Sequence, residues 1–192
     1  MVPIVSRMSV QPLCLEPHRV LRSRGRRVEA FTEEIRRLAR DLIETMYAND
    51  GIGLAAPQIG CDLQVFVANP SRRRGRELVV VNPALEVLQG RAAVTEGCLS
   101  VPNVWAQVKR AATVRLTGQD ARGNPLTIDA RGLLAIVVQH EWDHLQGVLF
   151  TDRLPWYRRP FDLAVGFARR FRSGPSRAVV EGRFRLRRAR CA

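Results

Sequence analysis

The nine residues QHEWDHLQG, from Gln139 to Gly147, are the most informative stretch of this sequence. His140 and His144 stand four positions apart with Glu141 between them, in the pattern H-E-x-x-H. On a helix such residues meet on one face, whereas on a strand about 13 Å of rise would separate them. The spacing therefore predicts a helix that offers two imidazoles to one metal ion, with Glu141 able to reach a bound water.

This helix is predicted to span roughly residues 131–145 and to end at Gly147. Its first half, LLAIVV (133–138), contains β-branched residues that would also suit a buried strand, but the H-E-x-x-H spacing requires a helix. Traced backward, the ligand face continues through Ile136 or Val137 to Leu133. An apolar wall beside a hydrolytic centre is typical of a specificity pocket, and ordinary core packing is the alternative.

A catalytic metal needs one more protein ligand and an open position. No histidine follows His144, and the only other one is His18. Upstream, EGCLS (96–100) offers Cys98 at the end of a β-rich run as a candidate thiolate donor. The alternative, a small buried hydrophobe, is the commoner role of a lone cysteine, and periodicity alone favours it.

The rest of the chain predicts an α+β fold. A helix is expected over about 32–48, capped by Thr32, followed by an ordered loop over 51–60. Short β-rich runs follow near 64–68, 77–83, before 101, 108–120 and 125–130, and a short helix is predicted over 161–171. The predicted architecture has mixed or antiparallel β-sheets around the central helix that carries H-E-x-x-H, with an N-terminal helix and a basic C-terminal segment.

Length and charge divide the chain in two. Its 192 residues favour one catalytic domain, over residues 1–156, followed by a basic extension over 157–192. Of the net charge of +13, the extension carries +9, with eleven arginines against Asp162 and Glu181. Such a segment indicates an anionic partner such as RNA, and a solubilising tail is the alternative.

Other features bear on the compartment. No apolar run reaches the roughly 18 residues that cross a bilayer, and the N-terminus lacks a secretory pattern, so a cytoplasmic protein without a membrane partner is expected. The four cysteines are too few and too scattered for a disulfide framework.

Three motifs in order carry a family resemblance: GIGLAAPQIG (51–60), EGCLS (96–100) and QHEWDHLQG (139–147). Together they resemble the peptide deformylase family over about residues 12–155. The resemblance implies removal of the formyl group from N-formylmethionine at the start of new polypeptides, with release of formate. It also implies that the enzyme's metal is Fe(II), for which Ni, Co or Zn can substitute.

Site residues follow from the same resemblance. Cys98, His140 and His144 are implied as metal ligands, and Glu141 as general base and then general acid. Gln58, through its side-chain amide, and Leu99, through its backbone N–H, are implied as the oxyanion hole. The implied substrate-binding residues are Ile52, Gly53, Glu96, Leu133, Ile136 and Val137, with Glu96 supporting the metal ligands. Arg110 and Asp143 match positions that pair in the family, and solvent exposure of Asp143 is the alternative.

Two departures and two rival functions accompany the resemblance. Trp105 stands where many bacterial members have an arginine that engages the substrate backbone, and the stretch EPHRVLRS (16–23) also differs. In bacterial relatives a C-terminal helix can dock on the ribosome, which would suit the basic extension. The rivals are a zinc peptidase, without a Cys98 ligand, and a non-catalytic ribosome or RNA binder, which would need a broken site.

Overall fold

The computed structural model of the protein describes residues 10–156. The extension over 157–192, with the helix predicted over 161–171, lies outside the described residues. Within the described part, no helix combines the length and the apolar character needed to cross a membrane.

One antiparallel sheet and two α-helices build the described part of the chain. The helices and strands, in chain order, are α1 (Glu33–Ala48), β1 (Gly53–Ala55), β2 (Val65–Ala68), β3 (Leu78–Cys98), β4 (Val101–Gln119), β5 (Pro125–Arg131) and α2 (Gly132–Leu145). Short 3₁₀ helices cover Arg19–Arg22, Ala56–Ile59 and Phe150–Arg153. The strands lie in the order β1-β2-β3-β4-β5, each antiparallel to its neighbour. The α+β class is therefore found, with one continuous sheet where several were expected.

Helix α1 follows its predicted bounds within one residue. Ile35, Leu42 and Met46 are buried along one face, against a core that includes Leu54 and Val65. Thr32 occupies the N-cap position, but the predicted cap is wrong in detail, because the Thr32 side chain makes no capping hydrogen bond.

The segment 51–60 was expected to be a loop, and the structure corrects this. Gly53–Ala55 forms the edge strand β1, paired with Ala68–Phe66 of β2, and a 3₁₀ helix follows. Three residues are too few to produce a recognisable alternation in the sequence. The pairing with β2 is what makes this segment a strand.

The β-rich runs between 77 and 120 are two long strands, not several short ones. β3 has 21 residues and β4 has 19, and they form one hairpin that turns at Leu99 and Ser100. Irregular register near Val81, Val87 and Gly97 interrupts the alternation that sequence patterns detect. The tight turn places Cys98 at the very end of β3, beside α2.

Helix α2 packs its apolar residues onto the sheet and ends where predicted. Ala135, Val138 and Leu145 join a core cluster that includes Phe66 and Leu116. Gly147, with a φ of 73°, lies so close to the Arg22 backbone that an added Cβ would stand 2.8 Å from it. This close approach fixes the end of α2 against the N-terminal segment.

Gly147→Ala is expected to lower the free energy of unfolding by about 3 kcal/mol, because a left-handed conformation and a backbone clash add together. Gly75→Ala is the matched control, since Gly75 also has a positive φ, of 83°, but an added Cβ would meet nothing within 4 Å. It should cost only the conformational part, about 1 kcal/mol. Denaturant titrations of the two variants would give the difference; equal losses would mean that the close approach is unimportant.

Candidate active site

Three potential metal ligands come together between the hairpin and α2. Cys98 ends β3, while His140 and His144 lie one turn apart on α2. One ligand atom from each lies within 4.8 Å of the others, and Cys98 Sγ is 3.2 Å from His144 Nε2. Periodicity alone favoured a small buried hydrophobe at Cys98. The structure instead places its sulfur beside two imidazoles.

The donor set fits a divalent transition metal. A sulfur and two imidazole nitrogens suit zinc or iron. His140 uses Nδ1 to donate to Glu96 Oε2 at 2.8 Å, which leaves its Nε2 for an ion. Burial lowers the pKa of His144 well below its usual range, so that ring stays neutral, as a metal ligand must.

A buried ion network holds these ligands from behind. Arg110 on β4 donates to both carboxylate oxygens of Glu96, at 2.8 and 2.9 Å, and also to Asp143 on α2. Burial tends to raise the pKa of Glu96, but the hydrogen bonds from Arg110 and His140 hold it at about 2. Asp143 is buried and also accepts from Arg153, so the predicted Arg110–Asp143 pair is found and solvent exposure of Asp143 is not.

Glu141 differs from Glu96 in the contacts that govern its protonation. It is buried, and its Oε2 has no hydrogen-bond partner among the described residues. Burial is the main reason that its pKa is raised to about 7. A carboxyl with that pKa can take up and return a proton near neutral pH.

Gly53 makes room for the Glu141 carboxyl. A Cβ at this position would overlap Glu141 Oε1 and would stand 2.9 Å from Val137 Cγ1. The β1 backbone can thus approach α2 only because residue 53 has no side chain.

Gln58 is buried on the 3₁₀ helix that follows β1. Its Oε1 accepts from the Ala55 N–H at 2.8 Å, which orients the amide. Its Nε2 then points toward Ser100 Oγ at 3.2 Å and Cys98 Sγ at 3.6 Å. Leu99, in the hairpin turn, lines the same cavity. Both candidate oxyanion donors are therefore beside the ligand cluster.

A cavity of about 570 Å³ opens onto these groups. All six residues expected to bind substrate lie on its walls: Ile52, Gly53, Glu96, Leu133, Ile136 and Val137. Sequence patterns missed others, among them Leu13, Arg72, Pro102 and Asn103. These come from loops and a bulge, where no periodicity marks a residue as facing a cavity.

Comparisons of sequence and of structure with known proteins all point to one family. The family model described as polypeptide deformylase matches residues 10–159. The chain is 45% identical over 139 residues to peptide deformylase 2 of Gloeobacter violaceus, covering 71% of this chain and 74% of that protein. Among solved structures it resembles a peptide deformylase from Legionella pneumophila, with a TM-score of 0.80, 36% identity and coverage of 87% and 100% of the two chains. For the peptide deformylase of Thermus thermophilus the TM-score is 0.77, with 42% identity and coverage of 85% and 96%.

Replacing Arg110 with methionine should lower the free energy of unfolding by about 3 to 5 kcal/mol, because two buried carboxylates lose their shared cation. Arg115→Met, in the same strand, is the control: Arg115 pairs with Asp129 at the exposed surface, and its loss should change stability little. Denaturant titration measures both. Equal stability of the two variants would contradict a structural role for the buried network.

Proposed function

The chain belongs to the polypeptide deformylase family, and we propose that it removes the formyl group from N-formylmethionine of nascent polypeptides, releasing formate. The observation that carries this proposal is the cluster of Cys98, His140 and His144 beside the buried Glu141, at the end of an apolar-walled cavity. Such an enzyme works where polypeptides are made, which favours the cytoplasm.

In this proposal Cys98, His140 and His144 hold a divalent ion, Fe(II) in the first place, with Ni, Co or Zn as substitutes. When bound, such an ion acts as a Lewis acid toward the formyl carbonyl and lowers the pKa of water. Glu96 orients His140, and Arg110 and Asp143 fix the hairpin against the helix, so that the ligands keep their spacing.

Glu141 would carry the proton through the reaction. As general base it takes a proton from the attacking water, and as general acid it delivers that proton to the amine nitrogen that leaves. Its raised pKa supports both roles, and Gly53 gives the scissile bond access to it.

Gln58 Nε2 and the Leu99 backbone N–H would donate to the oxygen of the formyl group as negative charge develops on it. Donors that are already oriented need no rearrangement at that moment, and one such donor contributes about 3 kcal/mol in well-studied hydrolases. The contact between Gln58 Oε1 and Ala55 N–H supplies that orientation.

The methionine side chain would lie along the apolar wall formed by Ile52, Ile136 and Val137, with Leu133 at the more exposed end. An unbranched thioether adapts well to such a surface. The wall starts one turn before His140 on the same helix, which keeps the side chain and the reacting group a fixed distance apart.

The two rival functions are less compatible with the site. A zinc peptidase with the H-E-x-x-H pattern takes no cysteine ligand from a hairpin, yet Cys98 lies beside both histidines. An inactive RNA binder would be expected to have lost catalytic groups, but Gln58, Cys98 and Glu141 are all present. Cleavage of internal peptide bonds would favour the first rival.

The decisive measurement is formate release from formyl-Met-Ala-Ser by protein purified without oxygen and loaded with Fe(II) or Ni(II). Glu141→Ala should retain metal and lose about 10²- to 10⁴-fold in kcat, because only proton transfer is removed. Cys98→Ala should lose both metal and activity, because one ligand is missing. Cys61→Ala, a buried cysteine outside the cavity, serves as the control. Full activity in Glu141→Ala would refute the proposed mechanism.

The division into a catalytic domain over 1–156 and a basic extension over 157–192 remains part of the proposal. Eleven arginines in the extension suit the phosphates of ribosomal RNA, which would bring the enzyme to its substrate. Deleting residues 157–192 should abolish co-sedimentation with ribosomes at moderate salt while leaving formate release from short peptides intact. Undiminished co-sedimentation would place the contact elsewhere or exclude it.

A further inference from the structure

Two exposed apolar side chains stand at the cavity: Leu133, at the open end of the wall proposed for methionine, and Trp105, which has no role in the function proposed above. Trp105 is 63% exposed and Leu133 is 49% exposed, and both line the cavity. Large apolar groups at the rim of a binding site are typical of contact surfaces, since aromatic side chains supply large contact areas at low entropic cost.

A bulge in the hairpin places Trp105 at this rim. The pairing of β3 with β4 steps from Gly97↔Trp105 directly to Cys98↔Val101, so Pro102–Val104 have no partner on β3. Asn103 has a φ of 65°, a left-handed conformation that asparagine tolerates better than most residues. Bulges of this kind re-aim the side chains beside them, and this one occurs next to a metal-ligand candidate.

Gly97 supplies the surface on which the indole lies. A Cβ at Gly97 would stand 2.8 Å from Cε3 and Cζ3 of Trp105 and 3.0 Å from Cη2. The ring therefore rests against bare backbone, one residue from Cys98, and much of its remaining surface is open to solvent. Any larger residue at 97 would displace it.

We propose that Trp105 is a specificity-determining residue that contacts the side chains following the formylmethionine and favours aromatic or large apolar ones. The proposal rests on the function proposed above. With the formyl group at the Cys98 end of β3 and the methionine side chain on the α2 wall, the outgoing peptide passes the rim within one or two residues. The indole meets it there.

The contact energy of an aromatic pair sets the expected gain in peptide affinity. It corresponds to about a three- to ten-fold preference for phenylalanine over alanine at the contacted position. This preference should appear mainly in KM, because the contacted side chains do not change during the reaction and the contact is equal in ground and transition states. Replacing Trp105 with arginine would remove the apolar surface and offer hydrogen bonds to the peptide backbone instead.

The test compares kcat and KM for formyl-Met-Phe-Ser, formyl-Met-Ala-Phe and formyl-Met-Ala-Ser. In the wild-type enzyme at least one phenylalanine peptide should have the lower KM. In Trp105→Ala the ratio of KM for formyl-Met-Ala-Ser to KM for the preferred phenylalanine peptide should fall close to one. In Trp105→Phe most of the wild-type ratio should remain. Trp156→Ala is the matched control, since Trp156 is 81% exposed and lies outside the cavity walls.

A second measurement does not depend on turnover. Calorimetric titration with the product peptides Met-Phe-Ser, Met-Ala-Phe and Met-Ala-Ser should give the same order of affinities, lost in Trp105→Ala. Equal preferences in wild type and Trp105→Ala, in both measurements, would overturn the assignment. Failure of every enzyme form to release formate from formyl-Met-Ala-Ser would instead overturn the proposed function, and the titrations would still report on Trp105.

Discussion

The buried guanidinium of Arg110 is the interaction on which the geometry of the site depends. It lies on β4, binds Glu96 on β3 with two hydrogen bonds, and reaches Asp143 on α2. Glu96 in turn fixes the ring of His140. One cation therefore ties the strand that ends in Cys98 to the helix that carries both histidines, and neither element could shift without separating buried charges. Removing one partner of a buried ion pair costs more free energy than the intact pair contributes. The Arg110 contacts therefore fix positions more than they add net stability.

Two buried glutamates in the site differ in pKa because their neighbours differ. Glu96 lies against Arg110 and His140, which hold its pKa at about 2 despite burial. Glu141 is also buried but lacks such a partner for Oε2 among the described residues, and burial raises its pKa to about 7. Two carboxyls within one site thus differ in charge at neutral pH because of their surroundings alone. The ionised one is suited to orient a ligand, and the other to exchange a proton.

The sequence predicts the parts of the fold that local spacing controls. The H-E-x-x-H spacing predicts α2 and the face that carries the ligand candidates, and Gly147 predicts where α2 ends. The amphipathic pattern predicts α1. It does not predict β1, because Gly53–Ala55 becomes a strand only by pairing with β2. Nor does it reveal one long hairpin between 78 and 119, because irregular register breaks the alternation. Cys98 shows the limit: periodicity favours a buried hydrophobe, the resemblance implies a ligand, and only the hairpin turn brings its sulfur to 3.2 Å from His144.

Two glycines let large side chains lie against the backbone at the cavity. At Gly53 the absent side chain leaves room for Glu141, and at Gly97 it leaves room for the indole of Trp105. Both glycines expose backbone close to candidate site residues, Gly53 beside Glu141 and Gly97 beside Cys98, where a side chain would block approach. The first gives room to the carboxyl whose pKa is raised to about 7. The second gives room to Trp105, which pairs with Gly97 and follows the three residues, Pro102–Val104, that have no partner on β3. The position of Trp105 thus depends on the bulge, while the positions of Glu96 and Asp143 depend on the buried Arg110 network.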